Sequence, residues 1–204
     1  FTETLENLNA LLISSNYRQI RDVSSQMDLG QLFHLFNTAP DELFSDQFVN
    51  AFSMFLEALP GNEIFVKYYD SILEGLTSAN IQVVELWLKR IVKPVFVNES
   101  LLKSVAMASS ININSVLRCA VRLLTSQVTA IASIAHDICV IAAKAFRQEF
   151  FSPFIQDELK RIKQQGEPNM KIDKDTLKIR ISEVCIDIAC TNQLLMDLIK
   201  AAGH

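Results

Sequence analysis

Apolar residues recur three and four positions apart along most of the chain, which is the spacing of an amphipathic helix. In residues 128–146 they point in nearly every direction around the helix. The polar residues of this stretch fall in one narrow stripe, made of Thr129, Ser133, His136, Asp137 and Lys144. So apolar a helix needs helical neighbours on both sides, and we expect it to be the central inner helix of a layered array. Its central His136-Asp137 pair argues against a membrane span.

The same spacing predicts helices along the rest of the chain, and no stretch alternates with the period of a strand. The predicted helices are 2–12, 17–24, 28–37, 41–59, 63–76, 80–92, 99–108, 113–124, 150–164, 176–190 and 192–202. Asp28 and Asp41 are expected to begin helices, Pro60 and Gly61 to separate two, and Pro94 to end one. Residues 165–175 are expected to form a loop between repeats.

An internal repeat accompanies this pattern, because residues 83–92 and 116–125 superpose with an offset of 33 positions. Residues 177–189 have the same spacing of apolar residues, three and four positions apart, and each of the three segments follows a shorter predicted helix. Helix pairs at such a period are typical of HEAT and armadillo repeats. The sequence therefore predicts an all-α, right-handed solenoid of about 11–12 helices forming one domain over residues 1–204. The start without Met and the end inside helical sequence lead us to expect a fragment of a longer chain.

Charge is distributed unevenly along the chain, whose formal net charge is −4. The first 75 residues carry 11 Asp and Glu against 3 Lys and Arg, whereas the remainder carries 12 against 16. A general nucleic-acid binder needs clustered basic residues, so the composition argues against that class. Such polarity suits a protein partner with its own charge pattern, although ordinary variation among solvated helix faces explains it as well.

The residues that usually carry chemistry are sparse and scattered. Cys119, Cys139, Cys185 and Cys190 form no C-x-x-C pair and lie in apolar runs, which predicts core thiols in a reducing compartment. His136 and Asp137 are about 100° apart on a helix, which is poor geometry for sharing a proton or a metal. The glycines never cluster into a phosphate-binding loop. We therefore predict no catalytic set, no metal site and no cofactor.

Polar stripes on the second helix of each pair provide the candidate binding site. Its predicted members are Glu85, Lys89, Arg118, Arg122, His136, Asp137, Lys144, Arg180, Glu183 and Asp187. In a solenoid the second helices line the concave face, so these stripes would merge into one mixed-charge strip that docks a protein domain. Alternatively, each stripe is only the solvent-exposed face of an amphipathic helix. Arg118 and Arg122 also suit a phosphate or a carboxylate tail.

Four blocks of the sequence carry a family resemblance. They are DLGQLFHLFN at 28–37, ILEGLTSANIQVVELWLKRIV at 72–92, SPFIQDELKRIK at 152–163 and LKIRISEVCIDIA at 177–189. In order and spacing they resemble the N-terminal part of the proteasome non-ATPase regulatory subunit 5 family, along nearly the whole chain. The loop at 165–175 is longer than the usual connection of that family.

The resemblance implies a cytoplasmic chaperone, present also in the nucleus, that acts in assembly of the proteasome regulatory particle base. It implies that the chain holds ATPase subunits of the base through their C-terminal small domains before the ring closes. It also implies further repeats beyond residue 204. An adaptor for linear peptides in nuclear transport or membrane traffic is the alternative. A groove of stacked Trp and Asn would favour that alternative, but Trp87 does not recur on neighbouring repeats.

Overall fold

The computed structural model describes residues 27–108, 111–145 and 174–187, and all regular structure within these ranges is helical. The predicted all-α class is thereby confirmed. The helices predicted at 2–12, 17–24, 150–164 and 192–202 lie outside the described residues, as do residues 165–173 of the predicted loop. The chain divides into two compact units, residues 1–111 and residues 112–204. A single solenoid domain over the whole chain stays a prediction.

Within residues 27–108 the helical elements follow one another through short connections. In chain order the described elements are α1 (Leu29–Asn37), a 3₁₀ turn (Asp41–Leu43), α2 (Asp46–Ala58), α3 (Gly61–Lys67), α4 (Tyr69–Leu76), α5 (Ile81–Trp87), a π-helical turn (Leu88–Val92), α6 (Lys93–Val97), α7 (Glu99–Met107), α8 (Ile113–Leu123), α9 (Thr129–Ala145) and α10 (Lys174–Asp187). Short helices that contact their neighbours in sequence are compatible with a helical-repeat architecture.

Side-chain caps set several of the helix starts. The Asp28 carboxylate accepts a hydrogen bond from the Gln31 amide at 3.2 Å, so the predicted start of α1 is confirmed. The predicted start of α2 at Asp41 is wrong. The Ser45 hydroxyl caps that helix by accepting from the Phe48 amide at 3.3 Å, whereas Asp41 begins a 3₁₀ turn and accepts from the side-chain amide of Asn80.

The helix predicted over residues 63–76 is two helices, because the backbone kinks at Tyr68 between α3 and α4. Its backbone hydrogen bonds continue across the kink: the Tyr68 amide donates to Ile64 and the Tyr68 carbonyl accepts from Ile72. The Tyr68 ring packs edge-on against Phe33 of α1, with the centroids 5.2 Å apart. The kink therefore gives α3 and α4 separate packing directions.

The predicted helix end at Pro94 is also wrong, since helical backbone runs from Ile81 through Pro94 to Val97. A proline inside a helix lacks an amide hydrogen and crowds the carbonyl four residues earlier. Just before Pro94 the helix widens into the π turn, where the Lys93 amide donates to Leu88, five residues back. We attribute the wider turn to Pro94, because such bulges accompany local disruption of α-helical hydrogen bonding.

The core of the first unit is aromatic. The Phe36 ring stacks on Phe52 of α2, with centroids 3.8 Å apart, and Phe33 meets Trp87 edge-on at 5.1 Å. All four of these rings are fully buried. Burying one such side chain stabilises a fold by about 1.5–3 kcal/mol, so the cluster holds α1, α2 and α5 together.

A buried hydrogen-bond network lies beside these rings. Asn37 is only 6% exposed, and its side-chain oxygen accepts a hydrogen bond from the Trp87 indole N–H at 2.7 Å. Its amide donates to the Ser71 carbonyl at 2.7 Å and to Glu74 Oε2 at 3.0 Å. The second oxygen of Glu74 lies 2.9 Å from His34 Nδ1. The network thus satisfies two polar side chains inside the core and joins α1, α4 and α5.

Gly75 of α4 allows this close approach. A Cβ added at Gly75 would lie 2.1 Å from Trp87 Cδ1 and 2.8 Å from Asn37 Oδ1. Both distances are below any contact that real Cβ atoms make, and the Trp87 ring is fully enclosed. Glycine is therefore required here for packing.

Positions that the sequence repeat aligns are buried in both units. The aligned pairs are Val83 with Val116, Leu88 with Val121, and Ile91 with Leu124. The repeated positions therefore mark the inward face of the helix in each unit.

In the second unit α9 packs against α8 and α10. Its inward face consists of Ile131, Ala132, Ala135, Ile138, Cys139, Ala142 and Ala143. The expectation that α9 has helical neighbours before and after it is confirmed by these contacts. Within the described ranges, every helix is too short or too polar to span a bilayer.

We predict that Gly75→Ala destabilises the protein by about 1–3 kcal/mol, because the methyl group overpacks a closed core. Gly61→Ala is the matched control, since a Cβ at Gly61 meets nothing within 4 Å. Urea unfolding followed by circular dichroism measures both. Equal stability of the two variants would contradict the packing role of Gly75.

We also predict that Asn37→Ala destabilises by about 1–3 kcal/mol, because it leaves the buried Trp87 N–H without an acceptor. Asn50→Ala, at an exposed position of α2, controls for the loss of an amide. A double-mutant cycle with Trp87→Phe isolates the hydrogen bond. Strictly additive effects of Asn37→Ala and Trp87→Phe would show that the two side chains are not coupled.

Candidate functional site

The predicted site residues of the first unit lie on the helix that contains the π turn. Lys89 is exposed and Glu85 is half-buried, whereas Trp87, Leu88 and Ile91 beside them are fully buried. The apolar positions fix which side of the helix packs inward. The charged positions consequently face outward on a helix that the core holds in place.

On α8 and α9 the predicted residues are partly enclosed. Arg118 and Arg122 lie one turn apart on α8 and are half-buried. His136 Nδ1 and Asp137 Oδ1 of α9 are 4.0 Å apart, which is too long for a hydrogen bond. Lys144, near the end of α9, is exposed. The expectation that His136 and Asp137 are poorly placed to share a proton agrees with this distance.

On α10 the structure pairs two predicted residues with each other. Arg180 Nη1 donates to Glu183 Oε2 at 3.0 Å, and both side chains are 45% exposed. The Asp187 side chain lies outside the described residues. An exposed pair of this kind contributes little to stability, so the residues remain available to a partner surface.

The predicted residues of the second unit lie on three helices that contact one another in succession, α8 with α9 and α9 with α10. That their charged positions share one face stays a prediction. Glu85 and Lys89 belong to the other unit. One strip across all four helices stays a prediction.

Arg90 is a charged residue whose role the sequence pattern missed. Its guanidinium forms an ion pair with Glu57 of α2, and its Nε donates to the buried Ser53 hydroxyl at 2.7 Å. The adjacent Lys89 is exposed and has the same charge. Sequence spacing does not separate a structural cation from an outward-facing one, because only the tertiary position of α2 decides it.

The chemistry available in the described ranges is limited. No group of three His, Cys, Asp or Glu side chains there is arranged to hold a metal ion. The Cys139 thiol is completely buried, and this burial raises its pKa from 9.0 to about 12. A thiol in that state is protonated at neutral pH and is a poor nucleophile. Cys139 accordingly acts as a packing residue of α9.

Comparison with known proteins gives one finding. A family model described as "Proteasome non-ATPase 26S subunit" matches residues 1–200, which is nearly the whole chain. A search of curated proteins finds no match.

We predict that Cys139 resists alkylation in the folded protein near pH 9.0, the ordinary pKa of a thiol. Iodoacetamide labelling read by peptide mass mapping should show little modification of Cys139 until urea unfolds the chain. Because the folded pKa is raised, the unfolded state loses this proton first as pH rises. The stability contributed by the neutral thiol is therefore complete below about pH 9 and falls between about pH 9 and pH 12. Rapid labelling of the folded protein would contradict the buried position.

Proposed function

Because the chain belongs to the proteasome non-ATPase 26S subunit family, we propose that it is a non-catalytic scaffold that binds proteasome subunits. More specifically, we propose a chaperone of the subunit 5 type, which acts in assembly of the regulatory particle base. Its partners are the base ATPase subunits, held through their C-terminal small domains. In this proposal the protein acts in the cytoplasm or the nucleus and requires no cofactor.

One observation supports this proposal most directly. Charged side chains, including Lys89, Lys144 and the Arg180–Glu183 pair, project from helices whose opposite sides are buried. Charges of both signs at fixed positions suit recognition of a folded domain, since complementary charge selects the partner and sets the register.

A mechanism follows from the area that such a surface covers. Occupying one face of an ATPase subunit excludes premature contacts at that face. Association of the ring subunits buries larger interfaces, and these outcompete the scaffold when the ring closes. Assembly is thereby ordered by steric exclusion alone.

The position of Trp87 disfavours a peptide-binding adaptor. The side chain is fully buried and its indole N–H is bound to Asn37. It is the single tryptophan of the sequence, so no tryptophan remains to stack along an open groove. We therefore favour a folded domain as the partner.

We predict that the double variant Lys89→Glu, Lys144→Glu weakens binding to the cognate ATPase domain about tenfold, because each reversal replaces an attraction with a repulsion. Lys103→Glu is the matched control. Lys103 is also exposed, but it lies on α7 outside the predicted site and pairs with Glu99 at 2.5 Å. Calorimetry against the isolated C-terminal domains of the base ATPases, tested one by one, measures the affinities.

A second variant, Arg118→Glu with Arg122→Glu, tests the α8 portion of the site. Circular dichroism must show that this variant is folded, because both side chains are half-buried. Unchanged affinity in both double variants would remove these charged residues from the binding surface. Failure of the folded chain to bind any ATPase domain would contradict the proposed partner.

A further inference from the structure

The helical backbone from Ile81 to Val97 buries its side chains with a period of four residues. The buried side chains form two rows, Val83, Trp87, Ile91 and Val95 in one and Val84, Leu88, Val92 and Phe96 in the other. A regular α-helix has about 3.6 residues per turn, so positions twelve apart lie about 120° from each other around its axis. A regular helix would therefore carry the end of each row out of the core.

The π turn corrects this rotation. It holds one residue more than an α-helical turn, and the Lys93 amide accordingly donates to the Leu88 carbonyl, five residues back. One extra residue removes about 100° of the accumulated rotation. The π turn thereby keeps both rows on the core side along the whole length of the helix.

The same correction aligns the outward side of the helix. In a regular α-helix Val97 would lie about 160° around the axis from Ile81, and the extra residue reduces this angle to about 60°. The outward positions are again four residues apart, and we call them the ridge: Ile81, Glu85, Lys89, Lys93 and Val97. Sixteen residues at about 1.5 Å each give the ridge a length of about 24 Å.

Apolar side chains stand at both ends of the ridge. Ile81 is 47% exposed and Val97 is 61% exposed, although the residues between them in the sequence supply much of the core. Lys89 is exposed and Glu85 and Lys93 are half-buried. In protein interfaces apolar anchors contribute much of the affinity, and charges set partner choice and register. The ridge carries both kinds of group on one anchored helix.

The central charges of the ridge are not neutralised by the chain itself. Glu85 and Lys89 form no ion pair with each other or with another residue in the part of the chain that the structure describes. The same spacing of Glu and Lys on α7 does give a pair, with Lys103 Nζ 2.5 Å from Glu99 Oε1. A carboxylate and an ammonium therefore face a partner in a fixed order along the ridge.

The ridge is also the basic point of an acidic region. Residues 27–108 carry ten Asp and Glu against five Lys and Arg, and three of those five cations lie within residues 89–93. Arg90 is bound to Glu57, so the outward positive charge comes from Lys89 and Lys93. An acidic group of a partner is attracted to this point and repelled by much of the surrounding surface.

We propose that the ridge recognises one face of a folded partner domain whose groups follow the complementary order. An apolar contact at Ile81 is followed by a cation at Glu85, acidic groups at Lys89 and Lys93, and a second apolar contact at Val97. This assignment rests on the proposed function, because Glu85 and Lys89 belong to the predicted docking site. It adds Ile81, Lys93 and Val97 to that site and makes the π turn its positioning element.

The first test reverses the order of the charges and keeps their sum. Glu85→Lys combined with Lys89→Glu should weaken binding to the ATPase domain that the wild-type chain binds by about tenfold, because each charge then meets its own sign. Glu99→Lys combined with Lys103→Glu is the matched control, since this pair has the same spacing but lies on α7. The control should bind like the wild type. Calorimetry with the whole chain measures the affinities.

The second test removes the apolar ends. Ile81→Ser and Val97→Ser, each made alone, should weaken the same complex about fivefold or more. Met107→Ser is the control, because Met107 is 86% exposed and lies outside the ridge. Loss of affinity from both ends requires one domain to span the ridge, which is possible only if its ends share a side of the helix. Near-ultraviolet circular dichroism verifies that every variant is folded.

Two results would overturn the ridge and leave the proposed function intact. One is equal affinity of the two charge-exchange variants for an ATPase domain that the wild type binds. The other is an unchanged affinity in Ile81→Ser or in Val97→Ser, since the domain would then not span the ridge. Failure of the folded wild-type chain to bind any ATPase domain is a different result, which removes the proposed partner and this assignment together.

Discussion

The hydrogen bond from the Trp87 indole to the Asn37 side chain is the interaction on which the first unit depends. It joins positions 50 residues apart and is enclosed by fully buried rings. Water cannot replace either partner there, so the cost of separating them includes an unsatisfied donor and an unsatisfied acceptor. Gly75 makes the contact possible, because any side chain at that position would occupy the space of the Trp87 ring. A single polar contact thus fixes how α1, α4 and α5 meet.

Fixing Trp87 also fixes the outward-facing residues that follow it. The π turn starts at Leu88, and there Arg90 is tied to Ser53 and Glu57 of α2 while Lys89 projects outward. The same turn contacts α3. The predicted site residues of this unit are therefore carried by a helix that is anchored at the aromatic core. Preorganised surfaces of this kind lose less conformational entropy on binding than mobile ones.

The elements that sequence reasoning predicted correctly are those determined by local chemistry. The Asp28 cap, the break at Pro60-Gly61 and the buried register shared by Val83 and Val116 each follow from residue type and spacing. Tertiary contacts decided the rest. The helix continues beyond Pro94 because a π turn precedes it, and the residue that caps α2 is Ser45 and not Asp41. Asn37 also carries a local signal, because it falls four positions after Phe33 on an apolar face and so requires a buried partner.

The candidate site is less predictable than the fold, because outward-facing charge carries no periodic signal of its own. Lys89 and Arg90 are adjacent cations, yet one is exposed and the other holds two helices together. Each exposed charge adds at most about 1 kcal/mol to an interface, so no single residue can specify a partner. Selectivity has to come from several charges held in fixed relation by the core of the unit that carries them. The proposed scaffold can therefore select a partner only if its helices keep their spacing, which makes the buried Asn37–Trp87 contact part of the proposed function as well as of the fold.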